Sequence, residues 1–174
     1  MNIFIGYVSL EGHTAKIAEH VAKMAVARGH EVQRVNLADD LEPIDVKAFD
    51  RVILAGSVHQ RRHPKELEVF LAAEQDALRD VPTLFLSVSL SAAFDEGHED
   101  ATDYLIEMKM RTKFEPSEDM LVPGAINVEE YDYFAQQVVQ YVVMRGKDYD
   151  RSVGYHDFTD YAALDEKVAQ FLKA

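Results

Sequence analysis

Apolar positions along this chain fall into two alternating patterns. NIFIGYV at 2–8 is a short β-rich run, and after it Ile17, Val21, Met24 and Ala25 share one face of a helix spanning 14–28. Gly29 stops that helix as a C-terminal cap. EVQRVNL at 31–37 sets Val32, Val35 and Leu37 among Gln33, Arg34 and Asn36, the mark of a half-buried edge strand. Beyond the acidic loop ADDLEPID, DRVILAGSV carries a continuous Val52-Ile53-Leu54-Ala55, as a central strand covered on both faces should. Pro64 opens the next helix, whose buried stripe is Leu67, Phe70, Leu71 and Leu78. PTLFLSVSL at 82–90 is a further buried strand, and residues 98–112 place Ala101, Leu105, Ile106 and Met108 at helical spacing. DMLVPGAI at 119–126 reads as a fifth strand. Tyr161, Leu164, Val168, Phe171 and Leu172 mark a last helix over 160–173.

Strands alternating with helices imply a parallel sheet with right-handed crossovers, an α/β fold. Ligands bind such sheets outside the carboxyl ends of the strands. The loops at 9–14, 57–63 and 89–98 are therefore the ones to inspect.

Composition narrows the chemistry. The 174 residues, 48% of them apolar, suit one compact domain over 1–174. With no cysteine there is no disulfide, thiolate metal site or thiol nucleophile, so redox work needs a borrowed cofactor. A net charge of −13 opposes nucleic acid and anionic membranes and favours a cationic protein partner. No export signal and no run near the roughly 20 residues of a membrane span is visible, so the expectation is a cytoplasmic protein.

The first loop, SLEGHT, offers the Ser9 and Thr14 hydroxyls, Gly12 for a tight backbone, and the free N–H groups of a helix start. Together these suit a phosphate monoester without any Lys or Arg. A nucleotide P-loop is a poor match, since five residues separate Gly6 from Gly12 and His13 stands where Lys belongs. The dinucleotide fingerprint and the acids of a phosphoacceptor receiver are both missing. The same hydroxyls also suit plain capping of the helix. The second loop, GSVHQRRHP, clusters His59, Arg61, Arg62 and His63, either to hold an anionic ligand or as a solvated turn. In the third, SLSAAFDEG, Ser87, Ser89 and Ser91 alternate, and Phe94 is placed either to stack on a flat ligand or to pack ordinarily.

An apolar first strand, S-x-x-G-x-T into a helix, a strand ending AGS and another ending in a serine-rich loop together resemble the flavodoxin family. Within it, AGSVHQRRHP, FLSVSL and GAINVEEYDYFAQQVVQYVVMRG resemble the quinone-linked, oxygen-independent protoporphyrinogen oxidases of heme biosynthesis. The resemblance implies a doubly wound five-stranded parallel sheet of order 2-1-3-4-5, with a helical insert at about 127–159 before the last helix. It implies FMN, with Ser9, Leu10, Glu11, Gly12, His13 and Thr14 around the phosphate. Ser57, Val58 and His59 match the second loop, with His59 placed to cover one flavin face, and Ser87, Val88, Ser89 and Leu90 match the third. The flavin would do the electron chemistry, and no catalytic acid or base is assigned.

The insert departs from the positively charged one of those oxidases. Residues 129–160 hold Arg145, Lys147 and Arg151 against seven acids, a net −4. That weakens a membrane and quinone role and leaves Arg61 and Arg62, with Arg111 as a third, as the candidates for substrate carboxylates. Its apolar stripe, Phe134, Val138, Tyr141, Val142 and Val143, suits packing on the domain, a second subunit or a substrate. Two functions follow from the resemblance: an FMN oxidoreductase acting on a tetrapyrrole or related hydrophobic reductant with a quinone acceptor at the inner membrane periphery, or a carrier of single electrons between redox proteins.

Overall fold

The computed structural model describes residues 1–39, 43–127 and 154–173. Nearly all of the expected insert, including its apolar stripe and the basic residues Arg145, Lys147 and Arg151, lies outside the described residues.

Five strands form one parallel sheet: β1 (Asn2–Val8), β2 (Glu31–Asn36), β3 (Arg51–Ser57), β4 (Thr83–Ser89) and β5 (Glu118–Pro123). Their order is β2-β1-β3-β4-β5, all neighbours parallel. The expected doubly wound α/β fold is thus the observed one. The strand order reverses between β1 and β3, where ligand crevices form in open sheets.

Side-chain alternation along the strands divides the core in two. Ile3, Ile5, Ile53, Ala55, Leu84 and Leu86 point to a face covered by α1 (His13–Ala27) and α4 (Tyr161–Phe171). Phe4, Val52, Leu54 and Phe85 point to the other, covered by α2 (Lys65–Arg79) and α3 (His98–Thr112). Because both faces are dry, the central strands read as unbroken apolar runs. β2, at the edge, keeps polar positions.

Three readings need correction. DMLVPGAI is not one strand: Gly124 breaks it, and β6 (Ala125–Asn127) leaves the main sheet to pair antiparallel with β7 (Tyr155–Asp157). Part of the region assigned to a helical insert is therefore strand. Ile106 is 48% exposed, and the buried face of α3 is Ala101, Tyr104, Leu105 and Met108. The α2 helix starts at Lys65, with Pro64 just before it as N-cap.

The loop from β4 to α3 folds tightly at Gly97, where an added Cβ would strike the backbone carbonyl of Ser91, which cannot rotate away. Gly97→Ala should therefore cost about 1–3 kcal/mol in urea unfolding, in the range of overpacked sites. Unchanged stability would show that this loop is not held as described.

Candidate functional site

At the carboxyl ends of β1, β3, β4 and β5 the strand-end loops surround a cavity of about 570 Å³. Ser9, Glu11, His13 and Thr14 line it from the first loop, Ser57 to Arg61 from the second, and Val88 to Ser91 from the third. Tyr104, Gly124 and Ala125 complete the wall.

The helix entry sets the character of the first loop. Gly12 is the N-cap of α1 at φ 84, the left-handed region that favours glycine, and no side chain caps the helix. Thr14 lies inside the first turn rather than before it, so the capping reading of Ser9 and Thr14 does not hold. The first intrahelical bond is the one Lys16 N–H donates to the Gly12 carbonyl at 3.2 Å, and the earlier N–H groups point toward the loop end. Ser9 Oγ, Thr14 Oγ1 and Ser57 Oγ are buried and have no hydrogen-bond partner among the described residues, and all three residues line the cavity. Buried hydroxyls are normally paired, so three in one cavity form an acceptor-seeking surface. With the helix N-terminus beside it, that surface fits the terminal oxygens of a phosphate monoester.

His13 carries out a different task from its neighbours. Thr159 Oγ1 donates to the Pro123 carbonyl at 2.9 Å, so it accepts from His13 Nε2–H at 2.8 Å, and Nδ1 accepts from the Tyr155 hydroxyl at 2.8 Å. The ring thereby ties the first loop to β7 and the end of β5. Burial pushes its pKa below the ordinary value, against the pull of Asp157, whose Oδ1 lies 3.6 Å from Nε2, and with a smaller push from Lys16. His13 is neutral near pH 7.

The second wall is a strained turn. His59 and Arg62 exchange two backbone hydrogen bonds of 3.0 Å, while Gln60 and Arg61 both adopt left-handed φ, 48 and 65. Such strain persists only when the surroundings enforce it. Here Arg62 pairs with Glu68, whose carboxylate is buried and also held by Arg111 at 2.8 Å. The two guanidinium groups outweigh its burial and keep Glu68 below the usual carboxylate range. His63, next along, is buried and places Nε2 3.0 Å from Ser87 Oγ. His59 Nδ1 lies 3.8 Å from Glu11 Oε1 across the cavity mouth.

Of the sequence candidates, the structure gathers Ser9, Glu11, His13, Thr14, Ser57, Val58, His59, Arg61, Val88, Ser89 and Leu90 around one cavity. It does not bring the others to its wall. Leu10 is 57% exposed, and Arg62 is taken up by Glu68. Ser87 is buried against His63, and Gly12 is not part of the lining; Ser89, though on the wall, spends its Oγ as acceptor of the Ala92 N–H at 3.2 Å. Phe94 packs edge-on against Phe158 with ring centres 5.4 Å apart, outside the cavity lining, the ordinary-packing alternative of the two it offered. Arg61 reaches Asp100 at 3.2 Å and lies 5.1 Å from the centre of the Tyr104 ring. Sequence reasoning missed Tyr104, Gly124 and Ala125. The spacing of Ala101, Leu105 and Met108 did contain a signal for Tyr104, which shares their face.

Comparison with known proteins agrees with this architecture. The flavodoxin domain family matches residues 4–153. Flavodoxin 1 from Bacillus cereus, solved in the oxidised state, superposes with a TM-score of 0.53 at 15% identity, covering 99% of this chain and 98% of that one. The two-electron reduced flavodoxin of Megasphaera elsdenii gives 0.54 at 17% identity, over 70% and 85% of the two chains. A C101A flavodoxin from Pseudomonas aeruginosa gives 0.51 at 16% identity, over 80% and 92%. No curated protein matches the chain.

Burial pushes the His63 pKa down to about 4, with Arg111 adding to the effect and Glu68 opposing it. The unfolded chain takes up that proton near 6.5, while the native state stays neutral until about 4. The unfolded state therefore binds more protons in between, and stability should fall steadily as pH drops through that window. Urea unfolding across the range should show this slope, reduced in His63→Gln, and an equal slope in both proteins would remove His63 as its source.

Proposed function

The chain belongs to the flavodoxin family, and on that premise we propose that it binds FMN and serves as a redox flavoprotein. The observation that carries the proposal is the set of unpartnered hydroxyls of Ser9, Thr14 and Ser57 beside an uncapped helix N-terminus. Ser9, Thr14 and the first N–H groups of α1 would hold the phosphate, and the loops at 57–61 and 88–91 would flank the ring system. When bound, FMN supplies one- and two-electron chemistry that side chains alone lack. The protein's own contribution is position and field. Gly12 lets the backbone approach the phosphate, the network through His13 fixes the loop, and the Glu68 clamp holds Gln60 and Arg61 in their left-handed turn.

The two finer readings differ in what meets the flavin. A carrier of electrons between redox proteins is favoured by the net charge of −13, which steers cationic partners. Oxidation of a tetrapyrrole of the protoporphyrinogen class, with a quinone as acceptor, is favoured by the sequence resemblance and by Arg61 on the cavity wall. The cations it would need for substrate carboxylates are already engaged, Arg61 by Asp100 and Arg62 by Glu68. The carrier is therefore the better-supported reading. Among the described residues no helix is long and apolar enough to cross a membrane, and a cytoplasmic site of action fits either reading.

Titration with FMN should produce flavin absorbance bands shifted from those of the free cofactor. Thr14→Val and Gly12→Val should each weaken FMN at least about tenfold, the loss expected for one charge-assisted hydrogen bond or one strained left-handed residue. Neither should weaken riboflavin comparably, because riboflavin lacks the phosphate. FMN affinity unchanged in both variants would refute the cradle. Anaerobic protoporphyrinogen should leave the bound flavin coloured if the protein is a carrier, and bleaching would favour the oxidase.

A further inference from the structure

His13 opens α1 and lines the cavity with the unpartnered hydroxyls of Ser9 and Thr14. It occupies the position at which a nucleotide-binding loop would carry a lysine. Among the described lining residues Arg61 is the one permanent cation, and it is held by Asp100. A phosphate dianion entering the cradle would therefore meet hydroxyls and amide dipoles but no uncommitted positive side chain. The imidazole is poised to supply one.

We propose that His13 takes up a proton on Nδ1 when a phosphate monoester enters the cradle, so that the site selects the dianionic ester over the same ligand without its phosphate. This inference rests on the flavin reading above and adds the charge that recognises the phosphate. The bonds around the ring allow it without moving a heavy atom. Nε2–H goes on donating to Thr159 Oγ1. The new Nδ1–H donates to Tyr155 Oη, whose hydroxyl hydrogen, until then donated to Nδ1, turns away. The proton comes from solvent.

The groups facing the ring pull in opposite directions. From β7, the Asp157 carboxylate lies 3.6 Å from Nε2 and favours the imidazolium, while accepting a hydrogen bond from Tyr161 at 3.0 Å. From α1, Lys16 opposes it, its ammonium 4.2 Å from the Tyr155 ring centre. Glu11, two residues earlier in the loop, adds a further carboxylate to the cavity wall. Burial tips the balance toward neutral imidazole. A dianion beside it in a low-dielectric pocket adds an opposite charge and tips it back.

Calorimetric titration with FMN and with riboflavin, at about pH 7.5 in two phosphate-free buffers of different ionisation heat, tests this. The second pKa of a phosphate monoester is about 6, so free FMN is already mainly the dianion and selecting that form can only release protons. Net uptake therefore belongs to the protein. FMN should bind with buffer-dependent heat equivalent to a large fraction of a proton, and riboflavin with none. His13→Gln should bind FMN more weakly and without uptake. FMN binding with buffer-independent heat, or equal uptake in His13→Gln, would overturn the inference and leave the flavin reading standing. Absence of FMN binding would overturn both. Should His13→Gln fail to fold, the imidazole nitrogen shifts of His13 in the native protein decide the matter. A change to imidazolium values on adding FMN supports the inference, and persistence of neutral values contradicts it.

Discussion

The candidate site depends on one unfavourable arrangement: buried hydroxyls with no partner among the described residues, at an uncapped helix end. Burying a hydroxyl without a hydrogen bond costs on the order of 1–3 kcal/mol. Ser9, Thr14 and Ser57 all face this cost in one cavity. Gly12, in its left-handed conformation, makes the arrangement possible, because it starts the helix without contributing a capping side chain. A phosphate ester relieves the cost at every hydroxyl it reaches, which links the stability of the loop to occupancy of the site.

The rest of the fold holds the other walls against this first loop. The two apolar layers on either side of the sheet fix the carboxyl ends of β1, β3 and β4 relative to one another. On the second wall, consecutive left-handed residues at Gln60 and Arg61 follow a Val58 N–H that donates to the Val88 carbonyl and precede two anchored side chains. Arg62 is anchored to the buried Glu68, and His63 to Ser87 on β4. Charged groups that look available for ligand in the sequence are thus partly spent on geometry. On the opposite side, His13 and Thr159 join the first loop to the end of β5, and there the Gly124 N–H donates to the Ser89 carbonyl at 2.9 Å, which ties the third loop to the same network.

Residues whose environment is set locally were legible in the sequence. The unbroken Val52-Ile53-Leu54-Ala55 run announced a central strand, and the mixed pattern of 31–37 announced the edge, because burial on two faces or one writes itself into the alternation. In the loop SLEGHT, Gly12 marked the entry to the helix, because its left-handed backbone is a local constraint. What failed depended on distant partners. Ser87 read as a ligand group because nothing local shows its partner His63, and Phe94 read as either a stacking or a packing ring because Phe158 is far along the chain. The pairing of β6 with β7, separated by a long intervening stretch, left no short-range signature at all.

The role proposed for the first loop and the α1 N-terminus is to cradle the phosphate of a flavin. A crystal structure of the protein grown with FMN tests it directly. The phosphate should lie within hydrogen-bonding distance of the Ser9 and Thr14 hydroxyls and the first N–H groups of α1, with the ring system between the second and third loops. A flavin bound elsewhere, or one whose phosphate points away from α1 into solvent, would contradict it.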